Sequence, residues 1–436
     1  MVGKFDKKTV KDIDLKNKRV LLRADYNVPI SGGRIGDDYR LQTSLPTIQY
    51  ILEQKPRALI IIAHLGRPTG PDDRACSLAP VAKRLEKLLG HRVFFVNDTV
   101  GPTARSAAEQ LPKGGVLLLE NLRFNPGEEA DSDDFANALI QATKADIFVQ
   151  DGFGVVHRKH ASTHAITKLL PSVAGLLLEK EVSAIEQAIQ KPERPMTAIV
   201  GGAKIADKIG VLNRFIEEAD CVAVGGALAN DFLHAEGVKV GKSLVDSQDF
   251  DLARRILTKA RKAERERNFK FIIPVDGVVS TSADGRAATR VVDFGSDSLA
   301  DIEAYPKKPK AKAYNIGADE MILDIGPISA ARITGAVDLS RTVIWSGTLG
   351  MTEIKGIAGA HDPFGHGSRL VAEAIIGASN THANKAFSVV GGGDTVSYIE
   401  SKNWTRDFSF VSTGGSASLE LMAGRKLPGL EALNDK

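Results

Sequence analysis

Cysteine is scarce in this sequence: Cys76 and Cys221 are the two among 436 residues, and they stand in different halves. Neither a disulfide framework nor a structural zinc site fits that count. Long uncharged apolar runs are also missing, and none follows the opening MVGKFDKKTV, so no membrane span and no secretory leader are expected. The expected location is the cytoplasm. An excess of one charge is missing too. The 57 Lys and Arg against 54 Asp and Glu leave a net +3, too weak a field to gather nucleic acid. Any anion must therefore be held by local clustering. Three motifs fall short of a full match. No GxGxxG opens a strand–helix unit, which speaks against a dinucleotide-binding dehydrogenase. GVKVGKS has one residue too few between its glycines for a Walker A cradle and is read as a loop. His157 and His160 in HRKH have no third ligand nearby for zinc.

What is present is an ordinary globular balance, 43% hydrophobic and 25% charged, in a chain long enough for two cores. The first half carries the apolar runs KRVLLRAD, ALIIIAHL, RVFFVND, GVLLLENL and ADIFVQD, separated by helical patterns. Ser77 is expected to cap one helix and Gly90 to end it, and Asp131 or Ser132 to cap another. The second half repeats the alternation with MTAIVGG, CVAVGG, FIIPVD, MILDIG, TVIWSG, FSVVGGGDT and FSFVSTGG. The fold class is therefore α/β, with two Rossmann-like lobes, each a parallel sheet flanked by helices. LLLEKEVSAIEQAIQKPERP reads as a hinge helix between them, ended by Pro192 and Pro195. The expected division is 1–174, a hinge at 175–193, 194–415, and 416–436 returning to the first lobe. KPKAKAYNIGADE reads as a solvated connection, and DLARRILTKARKAERER as a solvated helix with an apolar stripe.

Ligands of open parallel sheets bind beyond the carboxyl ends of the strands. In the first half those ends carry Asp25 and Asn27, His64 and Arg67, Asn121 and Arg123, and Asp151 followed by Arg158, with Arg40 nearby. Guanidinium forks match carboxylate and phosphate oxygens, so the set suits a small substrate bearing both. Asp25 can accept from a hydroxyl, which points to a hydroxy acid phosphate. Taken singly, each arginine is as easily a surface ion pair; the recurrence at strand ends favours the site. In the second half the ends carry glycines, among them Gly201, Gly202, Gly225, Gly226, Gly326, Gly347, Gly391, Gly392, Gly393, Gly414 and Gly415. Glycine turns that open helices let backbone amides approach phosphates. Lys204 and Lys208, four apart, are expected on one helix face beside a transferring phosphoryl group. Asp394 suits either a magnesium ion on nucleotide phosphates or a helix cap.

RADYNVP, AHLGRPTG, LLENLRFNPGEE, DGFGVVHRKHAST, GGAKIADKI, VGKSL, LDIGP, TVIWSG, GGGDT and STGGSASLELMAGRKLPG, in this order, make the chain resemble phosphoglycerate kinases along nearly its whole length. The resemblance implies reversible phosphoryl transfer from 1,3-bisphosphoglycerate to Mg-ADP, giving 3-phosphoglycerate and ATP, by a hinge-bending monomer. It implies a glycerate site of Asp25, Asn27, Arg40, His64, Arg67, Arg123 and Arg158. It implies a nucleotide and metal side of Lys204, Lys208, Gly326, Glu353, Gly392, Gly393, Asp394 and Thr395, with Glu353 on the ribose hydroxyls and Asp394 on Mg2+. Arg40 and Lys208, with the amides around Gly392 and Gly415, are then expected to stabilise the transferring charge.

The departures gather on the nucleotide side. Ala227, Ser346, Thr348 and Ser416 stand where the resemblance leads one to expect Gly, Asn, Pro and Gly. Ser416 could serve instead as a helix cap. These changes raise two alternatives: a kinase of altered nucleotide preference, and a non-catalytic binding protein that keeps the fold. Intact Lys204, Lys208 and Asp394 argue against the second.

Overall fold

A computed structural model describes residues 5–70, 73–294, 316–355, 362–377 and 385–436. Most of the basic stretch at 308–320 lies outside them. The chain divides into two compact units, Met1–Ser183 with Arg425–Lys436, and Ala184–Gly424.

The first unit is built on β1 (Arg19–Arg23), β2 (Ala58–Ile62), β3 (Val93–Phe95), β4 (Gly115–Leu118), β5 (Ile147–Gln150) and β6 (Ser172–Ala174). They form one six-stranded sheet in the order β3-β4-β2-β1-β5-β6, with every pairing parallel. Alternate residues of each strand feed opposite faces. Val20 and Leu22 of β1 and Leu59 and Ile61 of β2 join one buried cluster, together with α1 (Tyr39–Glu53) and α2 (Ala79–Leu89) through Leu41, Ile48, Val81 and Leu85. Leu21, Ala58, Ile60 and Ile62 join the other, packed on Phe135, Ala136 and Leu139 of α3 (Asp133–Thr143). A sheet covered on both faces needs strands apolar at every position, which is why they read as unbroken runs. Gly90 ends α2 in the left-handed conformation and Ser132 caps α3 by accepting the Phe135 N–H. Asp131 does not cap; it binds His164 and the Ala165 amide instead. Ser77 sits one residue before the cap position of α2, accepting the Ala79 N–H.

The chain leaves this unit along α4 (Leu176–Gln190), within which the division falls. The Leu177 and Leu178 amides at its start donate to Asp151 at 3.0 and 3.3 Å. The return segment begins at Arg425, later than expected, because the helix at 416–422 packs within the second unit. Lys7 then ties the end of the chain down through the carbonyls of Glu431 and Leu433 and the carboxylate of Asp435.

The second unit contains β7 (Met196–Val200), β8 (Cys221–Val224), β9 (Lys270–Ile272), β10 (Asp276–Ser280), β11 (Thr289–Asp293), β12 (Met321–Ile325), β13 (Thr342–Ser346), β14 (Phe387–Gly391) and β15 (Phe410–Val411). Six of them make a parallel sheet in the order β9-β8-β7-β13-β14-β15. MILDIG does not join it. Its strand β12 lies in a separate antiparallel sheet, β11-β10-β12. FIIPVD is likewise split at Pro274, which cannot donate to a ladder: β9 ends before it and β10 begins after it. The helices that concern the site are α5 (Ile209–Glu218), α6 (Leu228–Ala235), α7 (Pro327–Asp338), α8 (Gly393–Ser401) and α9 (Ser416–Met422). DLARRILTKARKAERER forms an amphipathic helix whose buried stripe is Ala253, Ile256, Leu257 and Ala260.

Candidate active site

In the first unit the register aligns Arg23 of β1 with Ile62 of β2 and Gln150 of β5, so the segments beyond all three emerge at one level. Arg40, from the first turn of α1, contacts the Asp25 carboxylate directly. Asp25 also accepts the Asn27 N–H at 3.2 Å. Burial by itself would raise the Asp25 carboxyl, but the guanidiniums of Arg40 and Arg23 hold it below the ordinary range. Asn27 Oδ1 accepts the Gly66 N–H at 2.9 Å, and Arg123 Nη1 donates to the Gly66 carbonyl at 2.7 Å. Those two bonds fix the loop that carries exposed Arg67.

Arg67 and Arg158 both lie near enough to Arg123 to repel its charge. Arg123 also has an acidic partner, Glu129, at 2.9 Å. Arg158 Nε donates to His157 Nε2 at 3.1 Å. Burial pushes His157 and His160 down to about 4, so both rings are neutral near pH 7. His64 is buried beside Arg23, and desolvation followed by that neighbouring charge puts it well below its ordinary value. A neutral imidazole can donate to an anion without adding charge. The structure thus gathers all seven side chains named for the glycerate.

Beneath them lies a pair that sequence reasoning missed. Arg23, 1% exposed, donates through Nε to Ser162 Oγ at 2.8 Å and approaches Glu128 Oε1 at 3.9 Å. Ser162 closes the network by donating its hydroxyl to Glu128 at 2.6 Å and its amide at 3.0 Å. A buried guanidinium needs such a partner. The two charges are far apart in sequence, so no local pattern signals the pair.

In the second unit Val200, Val224, Ser346 and Gly391 end their strands in register. The backbones that follow come very close. Gly201 donates to the Ser346 carbonyl at 2.9 Å, and Gly202 to that of Thr348 at 3.2 Å. A Cβ on Gly347 would come within 2.2 Å of the Gly201 backbone, and its φ of +99° is foreign to other residues. These glycines are therefore needed for packing whether or not phosphate is bound.

Lys204 and Lys208 do not share a helix face. The glycine-led stretch before α5 is irregular, and the helix starts only at Ile209, with Lys208 as its cap residue. Lys204 is largely exposed and pairs with Asp246 at 3.3 Å. Lys208 is 9% exposed and donates to Ser346 Oγ at 3.1 Å. Burial brings its pKa from the ordinary 10.5 down to about 8, with Asp394 opposing the fall. Asp394 is not a cap: Gly392 holds that place in α8, and Asp394 is exposed one residue inside the helix. Ser416 is not a cap either, because Gly415 precedes α9 in that role.

A cavity of about 1000 Å³ opens beside these ends. Glu353 and Asp394 line it, as do Ala227 and Thr348. Lys204, Lys208, Gly392, Gly393, Thr395 and Gly326 are not among its lining residues. Thr395 Oγ1 is engaged by the Gly347 N–H at 2.7 Å. Gly326 caps α7 at the end of the antiparallel β12, and its amide donates to the Asp276 carbonyl at 2.9 Å. No group of three or more metal-ligating side chains occurs among the described residues. A lone exposed carboxylate fits a magnesium ion held mainly by phosphate oxygens. No described helix is long and apolar enough to cross a membrane.

The family model for phosphoglycerate kinase matches residues 10–425. Two similar proteins are the phosphoglycerate kinases of Pelotomaculum thermopropionicum and Moorella thermoacetica, 42% and 41% identical over 430 residues, or 99% of this chain and 100% of each relative. Among solved structures, phosphoglycerate kinase from Coxiella burnetii aligns with a TM-score of 0.78 at 33% identity, and that from Pyrococcus horikoshii with 0.79 at 28%. Each alignment covers 98% of both chains.

Proposed function

Because the chain belongs to the phosphoglycerate kinase family, we propose that its two units divide the reversible transfer of a phosphoryl group between 1,3-bisphosphoglycerate and ADP. Asp25, Asn27, Arg40, His64, Arg67, Arg123 and Arg158 hold the glycerate, with Asp25 accepting from its hydroxyl and the guanidiniums facing carboxylate and phosphate oxygens. Lys204, Lys208, Gly326, Glu353, Gly392, Gly393, Asp394 and Thr395 serve the nucleotide, with Glu353 accepting from the ribose. Asp394 would hold Mg2+ bound to nucleotide phosphates, and that ion supplies charge neutralisation there.

The bond from the acyl oxygen to phosphorus breaks as the bond from the ADP terminal oxygen forms. No protein nucleophile is required, so the residues position and neutralise. Arg40 and Lys208, with the amides around Gly392 and Gly415, act on the charge that spreads over the moving group. The observation that supports this reading is the direct contact of Asp25 with Arg40, a carboxylate able to accept from a hydroxyl beside a guanidinium able to donate to an anion. A cytoplasmic monomer belongs to the same proposal.

A coupled assay of ATP formation from 1,3-bisphosphoglycerate and ADP tests the proposal. Turnover that falls with Arg40→Ala and with Lys208→Met supports the assignments. Glycerate binding without turnover would instead favour a non-catalytic binder, which the family relatives do not.

A further inference from the structure

Asn121 and Asp151 are the strand-end residues of the first unit that the glycerate set leaves over, and Asn121 lies between members of that set. It follows β4 and is fully buried. All four of its printed side-chain bonds go to backbone. Oδ1 accepts the Leu65 N–H at 3.2 Å and the Arg123 N–H at 3.1 Å. Nδ2 donates to the carbonyls of Leu65 at 2.7 Å and Cys76 at 2.8 Å. Each partner has one sign only, so the direction of the amide is fixed. The backbone of Asn121 is held in turn, because its N–H donates to buried Glu120 at 2.8 Å, which also accepts the Leu78 N–H and the Ser77 hydroxyl.

One amide thus joins three segments, after β2, before α2 and after β4. Leu65 lies beyond the end of β2 and is buried, so both its backbone groups need partners outside a ladder, and Asn121 supplies them. His64 precedes Leu65 and Arg67 follows two residues later, while Arg123 stands two residues after Asn121. Arg67 and Arg123 repel one another. Two other bonds restrain the same loop, from Asn27 to the Gly66 N–H and from Arg123 to the Gly66 carbonyl. Those come from side chains that the substrate also engages. Asn121 alone of these three holds the loop without being shared with the ligand.

Resting on the proposed glycerate site, we infer that Asn121 is a positioning residue for it: its amide sets the spacing of the His64–Arg67 segment and Arg123 before substrate arrives. Binding then does not have to gather guanidiniums that repel each other. A site whose side chains are held in place beforehand binds and reacts better than one assembled by its ligand.

Calorimetry with 3-phosphoglycerate alone compares the wild type with Asn121→Asp, which keeps the shape and Oδ1 but sets a second oxygen against the Leu65 and Cys76 carbonyls. Affinity should fall roughly 10- to 100-fold. In the reaction run from 3-phosphoglycerate and ATP, KM for 3-phosphoglycerate should rise by a similar factor and KM for ATP by less than about 2-fold. Leu139→Ala, a core truncation on α3 of the same unit, destabilises without touching these loops and should leave affinity within about 2-fold. Unchanged affinity in Asn121→Asp, an equal loss in Leu139→Ala, or both KM values rising together would overturn the inference. The wild type also answers by amide hydrogen exchange. Without substrate, the Leu65 and Arg123 N–H groups should exchange on the order of 100-fold more slowly than unstructured amides. Exchange at the unstructured rate would overturn the inference even where the variant does not fold. A wild type that fails to bind 3-phosphoglycerate would remove the glycerate site and the inference with it, whereas a normal wild type and an unaffected variant remove the inference alone.

Discussion

Replacing Lys208 by Met should stabilise the ligand-free protein while abolishing most phosphoryl transfer. The ammonium is 9% exposed and is brought from 10.5 to about 8 chiefly by burial. Each pH unit is worth about 1.4 kcal/mol, so holding this charge in the fold at pH 7 costs about 3 kcal/mol relative to the unfolded chain. Met keeps the apolar stem and removes that cost. It also strips the donor from Ser346 Oγ, which is fully buried and bonded to Lys208 at 3.1 Å, giving back roughly 1 kcal/mol. A net gain of about 2 kcal/mol is expected at pH 7. The sign with pH follows from the lowered folded pKa. Between about 8 and 10.5 the unfolded state binds more protons, so the wild type gains stability as pH rises and the advantage of the variant disappears. Urea unfolding at pH 7 and pH 10, followed by tryptophan fluorescence, isolates this unit, because both tryptophans, Trp345 and Trp404, lie in it. A variant less stable than the wild type at pH 7, or an advantage that does not shrink by pH 10, would refute the reasoning.

Arg40→Ala should suppress turnover by at least about 100-fold and lower stability by roughly 1–3 kcal/mol, because Asp25 is left buried without its guanidinium. Turnover within a few-fold of wild type would remove Arg40 from the transition state. Gly347→Ala should cost more than about 3 kcal/mol through its clash with the Gly201 backbone, while Gly393→Ala, with nothing within 4 Å of its Cβ, should leave the fluorescence-detected midpoint unchanged and affect only nucleotide KM. Asp151→Asn should be more stable than wild type at pH 8 by about 4 kcal/mol, the gap narrowing toward pH 5. Burial raises the folded Asp151 carboxyl from 3.8 to about 7, so its contribution is present at low pH and lost as pH rises through 7. Urea unfolding followed by far-ultraviolet circular dichroism measures the gap, and one independent of pH would contradict that account.

The parallel strands were legible because strands buried on both faces leave continuous apolar runs, such as ALIII in β2 and CVAV in β8. Their direction and partners were not written locally. MILDI is also largely apolar, although Asp324 interrupts it, yet it pairs antiparallel with β10. The three-residue β6, just after Pro171, is too short to show a pattern. The clustering of Asp25, Asn27, His64, Arg67, Arg123 and Arg158 was legible because they follow strand ends, whereas Arg40 comes from α1 and the Arg23–Glu128 pair joins residues more than a hundred positions apart. The four-residue spacing of Lys204 and Lys208 suggested a helix, but the turn led by Gly201 and Gly202 delays helix formation to Ile209 and sends the two ammoniums to different partners. Asp394 and Ser416 were open to a capping role for the same reason: glycines with positive φ, at 92° for Gly392 and 53° for Gly415, take the cap positions first.

That displacement also bears on the residues that depart from the family resemblance. Ser346 accepts from Lys208 at 3.1 Å, and a hydroxyl that accepts one bond still has its own hydrogen to give. The carbonyl of Thr348 receives the Gly202 amide, a backbone contact that any side chain at that position permits. Ser416 is exposed at the start of α9, beyond the capping glycine. Each change therefore alters a side chain where the local structure relies on backbone or on a single oxygen, so the fold tolerates them. Ala227 and Thr348, unlike Ser346 and Ser416, line the cavity of the second unit. Any alteration in nucleotide preference should then trace to Ala227 or Thr348 rather than to Ser346 or Ser416. Substituting Ala227→Gly should change the ratio of ADP to inosine diphosphate turnover more than Ser346→Asn does, and the reverse ranking would place base selection at the strand ends instead.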